Sequence, residues 1–175
     1  IVPALQAIGG GIDLVMMTET YVDPKHDIHG WVISEKSGIK SVSDLKDKIF
    51  ASVSAGALTW LASQVILKRY GLAKENLDVR WIAFEKQPEV LMVGSVDVAD
   101  IVEPYLTFIP QQGGFKILTR TLTEVFPDRR WDYTTIVFTR EFIEKNKDVV
   151  DAFLRPNAKA LRWIEDHPEE TSKLI

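Results

Sequence analysis

The feature that most constrains this chain is an internal echo. The stretch Ala4-Leu5-Gln6-Ala7-Ile8-Gly9-Gly10-Gly11-Ile12-Asp13-Leu14-Val15 resembles Glu89-Val90-Leu91-Met92-Val93-Gly94-Ser95-Val96-Asp97-Val98-Ala99. Each copy reads as the end of a helix, glycine, an apolar residue, aspartate and then an apolar strand. Glycine takes the left-handed backbone that closes a helix without a steric penalty. The apolar run that follows suits a strand covered on both faces, as in a largely parallel sheet. Two such units predict two similar lobes; a chance likeness between αβ units is the plainer alternative.

The rest of the chain alternates short β-rich apolar runs with amphipathic stretches, the pattern of an α/β fold with mostly parallel sheets. Strands are expected at 12–17, 29–34, 49–53, 79–84, 96–102, 116–119 and 133–139. The clearest helix is 57–70, with Leu58, Leu61, Ala62 and Val65 on one face and Gly71 stopping it after Lys68-Arg69. Shorter helices are expected at 2–8, 43–48, 88–93 and 104–111, and two or three more after residue 140.

Composition removes several classes of function. The chain has 175 residues, 46% of them hydrophobic, and a formal charge of −4. It can bury a sizeable core, and it carries no Lys/Arg run of the kind a phosphate backbone demands, so no nucleic-acid partner is expected. No apolar stretch approaches the roughly 18 to 20 residues needed to cross a bilayer, so direct membrane insertion is not expected. The absence of Cys excludes disulfides, thiolate metal sites and a Cys nucleophile. The chain opens on an apolar segment without Met or a basic lead-in, which suggests a fragment whose upstream part is missing.

Between the echoes runs Ser34-Glu35-Lys36-Ser37-Gly38-Ile39, then Ser43-Asp44-Leu45-Lys46-Asp47-Lys48, Ile49-Phe50-Ala51-Ser52-Val53 and Ser54-Ala55-Gly56. A strand, a Gly loop, a short Asp-Leu-Lys helix, a strand and a small-residue turn into a long helix follow one another. Arg69-Tyr70-Gly71-Leu72, Gly94-Ser95-Val96-Asp97-Val98-Ala99, Glu103-Pro104-Tyr105 and Ala160-Leu161-Arg162-Trp163-Ile164 add to the series. In that order the motifs resemble the substrate-binding proteins of ABC importers, in particular the nitrate/sulfonate/taurine (SsuA) and NMT1-like thiamine-pyrimidine-precursor family. The resemblance covers nearly the whole chain. It implies a type II periplasmic-binding-protein-like fold of two lobes joined by crossover strands, one lobe being 36–115 and the other 1–35 with 116–175, its N-terminal part missing. Two residues depart from the family pattern. Asp47 stands where a glycine is common, and Pro156 falls where a helix interior is expected, which predicts a broken helix there.

Ligands of open α/β sheets meet the loops after the carboxyl ends of strands. After the 49–53 strand, Ser54, Ala55 and Gly56 lead into the helix. The amides of Ala57, Leu58 and Thr59, with the Ser54 hydroxyl and the helix dipole, would make an anion cradle, although the same residues serve equally as a cap. Trp60 is a possible wall. Thr18, Glu19 and Thr20 follow the first strand, and Glu103, Pro104 and Tyr105 follow the fifth; by the echo these loops are related, with the glutamates as acceptors and Tyr105 as a stacking face. Asp132 and Tyr133 precede the last strand, near the return between lobes. His26 and His29 with Asp23 and Asp27 match no zinc spacing, so no metal is expected. Ser52-Val53-Ser54-Ala55-Gly56 half imitates a nucleophile elbow, but the only downstream His is His167, and no catalytic residue is assigned.

The resemblance implies a solute-binding protein, not an enzyme and without a cofactor, that is periplasmic or anchored at the cell surface. It would deliver a small organic ligand (a sulfonate, carboxylate or pyrimidine-like compound) to the membrane permease subunits of an ABC importer by hinge closure, with crossovers near 31–37 and 114–121. A thiamine-pyrimidine synthase-like enzyme and the ligand-sensing domain of a regulator are the alternatives on the same fold; the synthase's Cys-rich signature has no counterpart in a chain without Cys.

Overall fold

The computed structural model describes residues 1–174, and for Glu19 the backbone only. Seven strands form, β1 Leu14–Val22, β2 His29–Ser34, β3 Ile49–Ser52, β4 Asp78–Trp81, β5 Val98–Val102, β6 Phe115–Arg120 and β7 Trp131–Thr139. The helices are α1 Val2–Gly9, α2 Leu58–Arg69, α3 Gln87–Met92, α4 Tyr105–Gln111, α5 Thr121–Val125, α6 Arg140–Lys145, α7 Lys147–Asp166 and α8 Pro168–Thr171. The helix expected at 43–48 is a 3-10 turn, Val42–Leu45.

The echo is realised. Gly11 at φ 90° follows α1 and Gly94 at φ 73° follows α3, the left-handed backbone that glycine reaches freely. Each echo aspartate then fastens a neighbouring segment. Asp97 Oδ2 accepts the Ile49 N–H at 2.8 Å at the start of β3, and Asp13 Oδ2 lies 2.9 Å from Arg140 Nε at the end of β7.

Five strands make one sheet in the order β4-β3-β5-β2-β6. β3 runs parallel to β4 and β5, whereas β2 is antiparallel to both β5 and β6. Four strands therefore share a direction and β2 alone opposes them. Thus β2, expected before the 36–115 lobe, and β6, which straddles its end, are bonded neighbours in the sheet.

Both faces of the sheet are covered, which is why its strands read as unbroken apolar runs. On one face Trp31, Phe50 and Leu122 pack with Trp60, Ile66 and Leu67 of α2. On the other, Val32, Ala51 and Ile101 pack with Leu91 of α3 and Leu106 and Ile109 of α4. Each large side chain so buried contributes about 1.5 to 3 kcal/mol.

The buried face of α2 differs from the expected one. Leu61 and Val65 are exposed, and Thr59, Trp60, Ala62, Ser63, Ile66 and Leu67 face the sheet. Two specific contacts set this rotation. The Trp60 indole lies between Phe50, 6.0 Å away, and Trp81, 5.3 Å away, and Ser63 Oγ accepts the Trp31 indole N–H at 3.2 Å.

The first strand runs well past its expected end, because Thr18, Thr20 and Val22 continue into a ladder with β7. The two strands pair antiparallel from Leu14 opposite Thr139 to Val22 opposite Trp131, with register shifts between Met16 and Thr18 and between Thr20 and Tyr21. This two-stranded ribbon leads out of the five-stranded sheet to α1 on one side and to α6, α7 and α8 on the other.

The break expected at Pro156 does not occur, since α7 runs through it. Pro156 cannot donate to the Ala152 carbonyl four residues back, but Ala152 is exposed, so that carbonyl is left to water. Asp47 adopts φ 62°, the one positive value outside glycine among the described residues. The position therefore needs the left-handed conformation that the family's glycine supplies, and aspartate is among the residues that tolerate it best.

Candidate functional site

The turn before α2 differs in detail from the cradle expected there. The Ala57 amide is spent on the Ser54 carbonyl at 3.2 Å, and Ser54 and Ala55 are exposed. Ala57 is the N-cap and has no side-chain acceptor, so the first-turn amides of Leu58, Thr59 and Trp60 open the helix uncapped. Gly56 sits beneath α1, where an added Cβ would stand 3.7 Å from Gln6 Oε1.

A cavity of about 220 Å³ lies at this helix start. Val53 and the helix-start residues Ala57, Leu58 and Thr59 line it together with Phe84, Tyr133 and Thr134 of β7, and Ile1, Val2 and Pro3. The site therefore joins the carboxyl end of β3, the turn after β4 and the ribbon, which is where an α/β sheet offers a ligand its loops.

Behind these walls is a set of buried polar groups. His29, fully buried at the start of β2, bonds through Nε2 to the Tyr133 hydroxyl at 2.7 Å, and its ring lies 5.5 Å from both Phe84 and Tyr133. Burial lowers His29 to about 4, against a smaller upward push from Asp27, so the ring is neutral at physiological pH. Asp100, in the middle of β5 and fully buried, is pushed up to about 7 by burial. Ser52 Oγ, His29 Nδ1 and Asp100 Oδ2 are buried without a partner, and the buried Thr59 hydroxyl lies against Asp100, whose charged form it favours. Such groups are rare in folded proteins and point to a polar region that can take up water or a ligand.

Asp27 holds this region to its surroundings. Its Oδ1 accepts the His29 N–H at 3.0 Å, and its Oδ2 accepts the amides of Leu122 and Thr123 at 2.8 and 2.7 Å. The start of β2 is thereby fixed to α5.

Of the expected site residues, Ala57, Thr59 and Tyr133 line the cavity; Thr20 does not, although its hydroxyl contacts that of the lining residue Thr134. Ser54, Ala55 and Gly56 form the turn beside it. The Thr18 carbonyl accepts the Thr135 hydroxyl at 2.6 Å within the ribbon. Glu19 pairs opposite Thr135 through its backbone, and its side chain lies outside the described residues.

The others lie elsewhere. Trp60 is a core residue, 2% exposed. Asp132 lines a neighbouring groove of about 290 Å³ with Arg129 and Arg130. Both Glu103 oxygens are engaged by Thr107, at 3.0 Å from its amide and 2.8 Å from its hydroxyl, so Glu103 caps α4, which begins just after Pro104. Tyr105 packs against the sheet face opposite α2.

Phe84, His29, Ser52 and Asp100 were not expected at a site. Asp100 carried a visible signal, a charge inside the apolar run Val98-Ala99-Asp100-Ile101-Val102. In the sequence, His29 stands out only beside His26 and the two aspartates as a metal-like cluster; among the described residues no group of three or more His, Cys, Asp or Glu is arranged to hold a metal ion.

Comparison with known proteins gives this arrangement a class. The alkanesulfonate-binding protein SsuA from Xanthomonas axonopodis pv. citri, in a structure bound to MOPS, superposes with a TM-score of 0.76 at 19% identity, covering 98% of this chain and 57% of that one. The periplasmic aliphatic sulphonate binding protein SsuA from Escherichia coli gives 0.74 at 22% identity, covering 97% and 52%. The fold is thus the type II periplasmic-binding-protein-like one. The chain belongs to the NMT1/THI5-like family, whose model matches residues 6–171. A Bacillus subtilis (strain 168) relative, named "Putative aliphatic sulfonates-binding protein", is 29% identical over 147 residues, which are 83% of this chain and 42% of that protein. The chain spans about half the length of the relatives it matches.

Proposed function

We propose that this chain forms part of a solute-binding protein that holds a small organic anion, a sulfonate above all, at the start of α2. The observation that carries the reading is the cavity of about 220 Å³ at an uncapped helix start. Free first-turn amides and the positive end of the helix dipole favour an anion there. The mostly apolar remainder of the wall (Val53, Leu58, Phe84) suits a short hydrocarbon tail. The names of the sulfonate-binding relatives agree with this chemistry. No catalytic step is part of the proposal.

The five-stranded sheet and its helices, residues 23–130, act as one lobe in this reading. The β1–β7 ribbon is the connection about which it closes over the ligand, and the closed form is what the permease subunits of an ABC importer recognise, at the periplasmic or outer face of the membrane. A ligand that touches both sides only when closed shifts the population toward that form.

A thermal-shift titration tests the site. At a ligand concentration 100 times Kd, binding adds about 2.7 kcal/mol of stability. Short alkanesulfonates are expected to raise Tm. If alkanesulfonates, taurine, aromatic carboxylates and pyrimidines all leave Tm unmoved, the proposed site is wrong.

A further inference from the structure

We infer that His29 is a positioning residue that turns the Tyr133 hydroxyl into a hydrogen-bond donor for the anionic group of the ligand. The inference rests on the reading of the cavity given above and adds to it one donor, one supporting residue and a tautomer.

The tautomer of His29 follows from where its single ring proton can be placed. His29 is fully buried, its Nε2 is 2.7 Å from the Tyr133 oxygen, and its Nδ1 has no partner. A neutral imidazole carries one proton, on one nitrogen or the other. If Nδ1 bore it, a buried N–H would be stranded with nothing to accept it, the rarer and costlier defect. If Nε2 bears it, only a lone pair is left unpaired. The second arrangement is therefore favoured, and in it the Nε2–H donates to the tyrosine oxygen.

The consequence falls on Tyr133. A phenol that accepts from His29 keeps its own proton for another acceptor. No other partner of that hydroxyl is found among the described residues, and Tyr133 lines the cavity. Its proton is thus free for an anion seated at the first-turn amides of α2. His29 also touches a second lining residue, its ring lying 5.5 Å from Phe84 as well as from Tyr133, so one buried side chain sets the spacing of the two. Donors from a helix start and a tyrosine, lining one cavity whose walls carry no basic side chain, fit a singly charged oxyanion with several acceptor oxygens, such as a sulfonate.

Two measurements test this together. Nitrogen-15 NMR of the imidazole reads the tautomer directly, and a proton on Nε2 is expected with or without ligand. Calorimetric titration with a short alkanesulfonate is expected to show affinity about tenfold weaker in Tyr133→Phe, as for loss of one hydrogen bond to a charged group. His29→Leu should weaken binding by a similar factor, His29→Gln, which retains an N–H donor, should restore most of it, and the double variant His29→Leu/Tyr133→Phe should be little worse than either single one.

Tyr133→Phe removes a single oxygen from a half-buried residue, so it tests the proposal even if His29→Leu fails to fold. A proton on Nδ1, or wild-type affinity in Tyr133→Phe, overturns the inference while leaving the cavity reading in place. If the wild-type chain binds no sulfonate at all, the cavity reading falls and this assignment falls with it.

Discussion

Thr121 donates its hydroxyl to Oδ1 of Asp100 across 3.2 Å, while Oδ2 of the same buried carboxyl has no partner. Burial pushes this carboxyl up to about 7 from an ordinary 3.8; the hydroxyls of Thr59 and Thr121 oppose the rise, and Asp27 adds to it. The folded protein therefore binds this proton more tightly than the unfolded chain does. Its contribution to stability is present below pH 4 and is lost as pH rises to about 7, a loss of about 4 kcal/mol. Asp100→Asn removes the dependence. Its stability relative to wild type, from urea unfolding, is expected to be greater at about pH 8 than at about pH 5, and equal differences at the two pH values would contradict this assignment.

His29 works in the opposite sense. Its value in the folded protein, about 4, lies below the ordinary 6.5, so the unfolded chain binds the proton more tightly. The stability it contributes is present above pH 6.5 and is lost as pH falls toward 4. In wild type this loss and the gain from Asp100 offset each other across the same interval. In Asp100→Asn the His29 effect stands alone, and a series of urea titrations should show stability falling steadily from pH 6.5 to 4.

Asp47 carries a conformational cost that glycine would not. At φ 62° a residue with a Cβ is strained by roughly 1 to 2 kcal/mol, less for aspartate than for most. Glycine removes the strain but loses more entropy on folding. Asp47→Gly is expected to gain about 0.5 kcal/mol and the β-branched Asp47→Val to lose more than about 1 kcal/mol, as read from denaturation midpoints.

Trp60 separates packing from binding. It is 2% exposed and wedged between Phe50 and Trp81. Trp60→Ala should cost about 3 to 5 kcal/mol. Trp60→Phe, which keeps part of the packing, should retain wild-type affinity for an alkanesulfonate once folded. Weakened binding in a well-folded Trp60→Phe would mean that the indole reaches the ligand.

The sheet was legible because its strands are covered on both faces. Runs such as Ile49-Phe50-Ala51-Ser52 and Val98-Ala99-Asp100-Ile101-Val102 announce themselves without any knowledge of their neighbours. The ribbon was harder to see. Thr18, Thr20, Thr134 and Thr135 are polar on a half-exposed ladder, and only the pairing of β1 with β7 shows that the 18–22 stretch is strand and not loop. The glycines and aspartates of the echo were readable, since each has a local conformational or capping task. The site was readable only in part. The helix start at Ala57 to Thr59 has a local signature, whereas Phe84 and His29 come together at 5.5 Å from distant segments through tertiary packing alone. Glu103 shows the converse. A glutamate after a strand looks like a ligand acceptor, yet its nearest need is local, the open start of α4.

The ribbon also carries a message about how the molecule assembles. Every rung from Leu14 opposite Thr139 to Val22 opposite Trp131 joins residues more than a hundred positions apart. Closing so long a loop in an unstructured chain costs entropy well before any pairing is gained. Once the 23–130 segment has folded, β2 and β6 lie side by side as bonded neighbours, and the chain emerging from each starts close to its partner. The connectivity therefore predicts a sequence of events in which amides of β2 and β5 gain protection in pulsed hydrogen exchange before those of β1. The same ladder that links the five-stranded sheet to the terminal helices would then be the last part of the molecule to form.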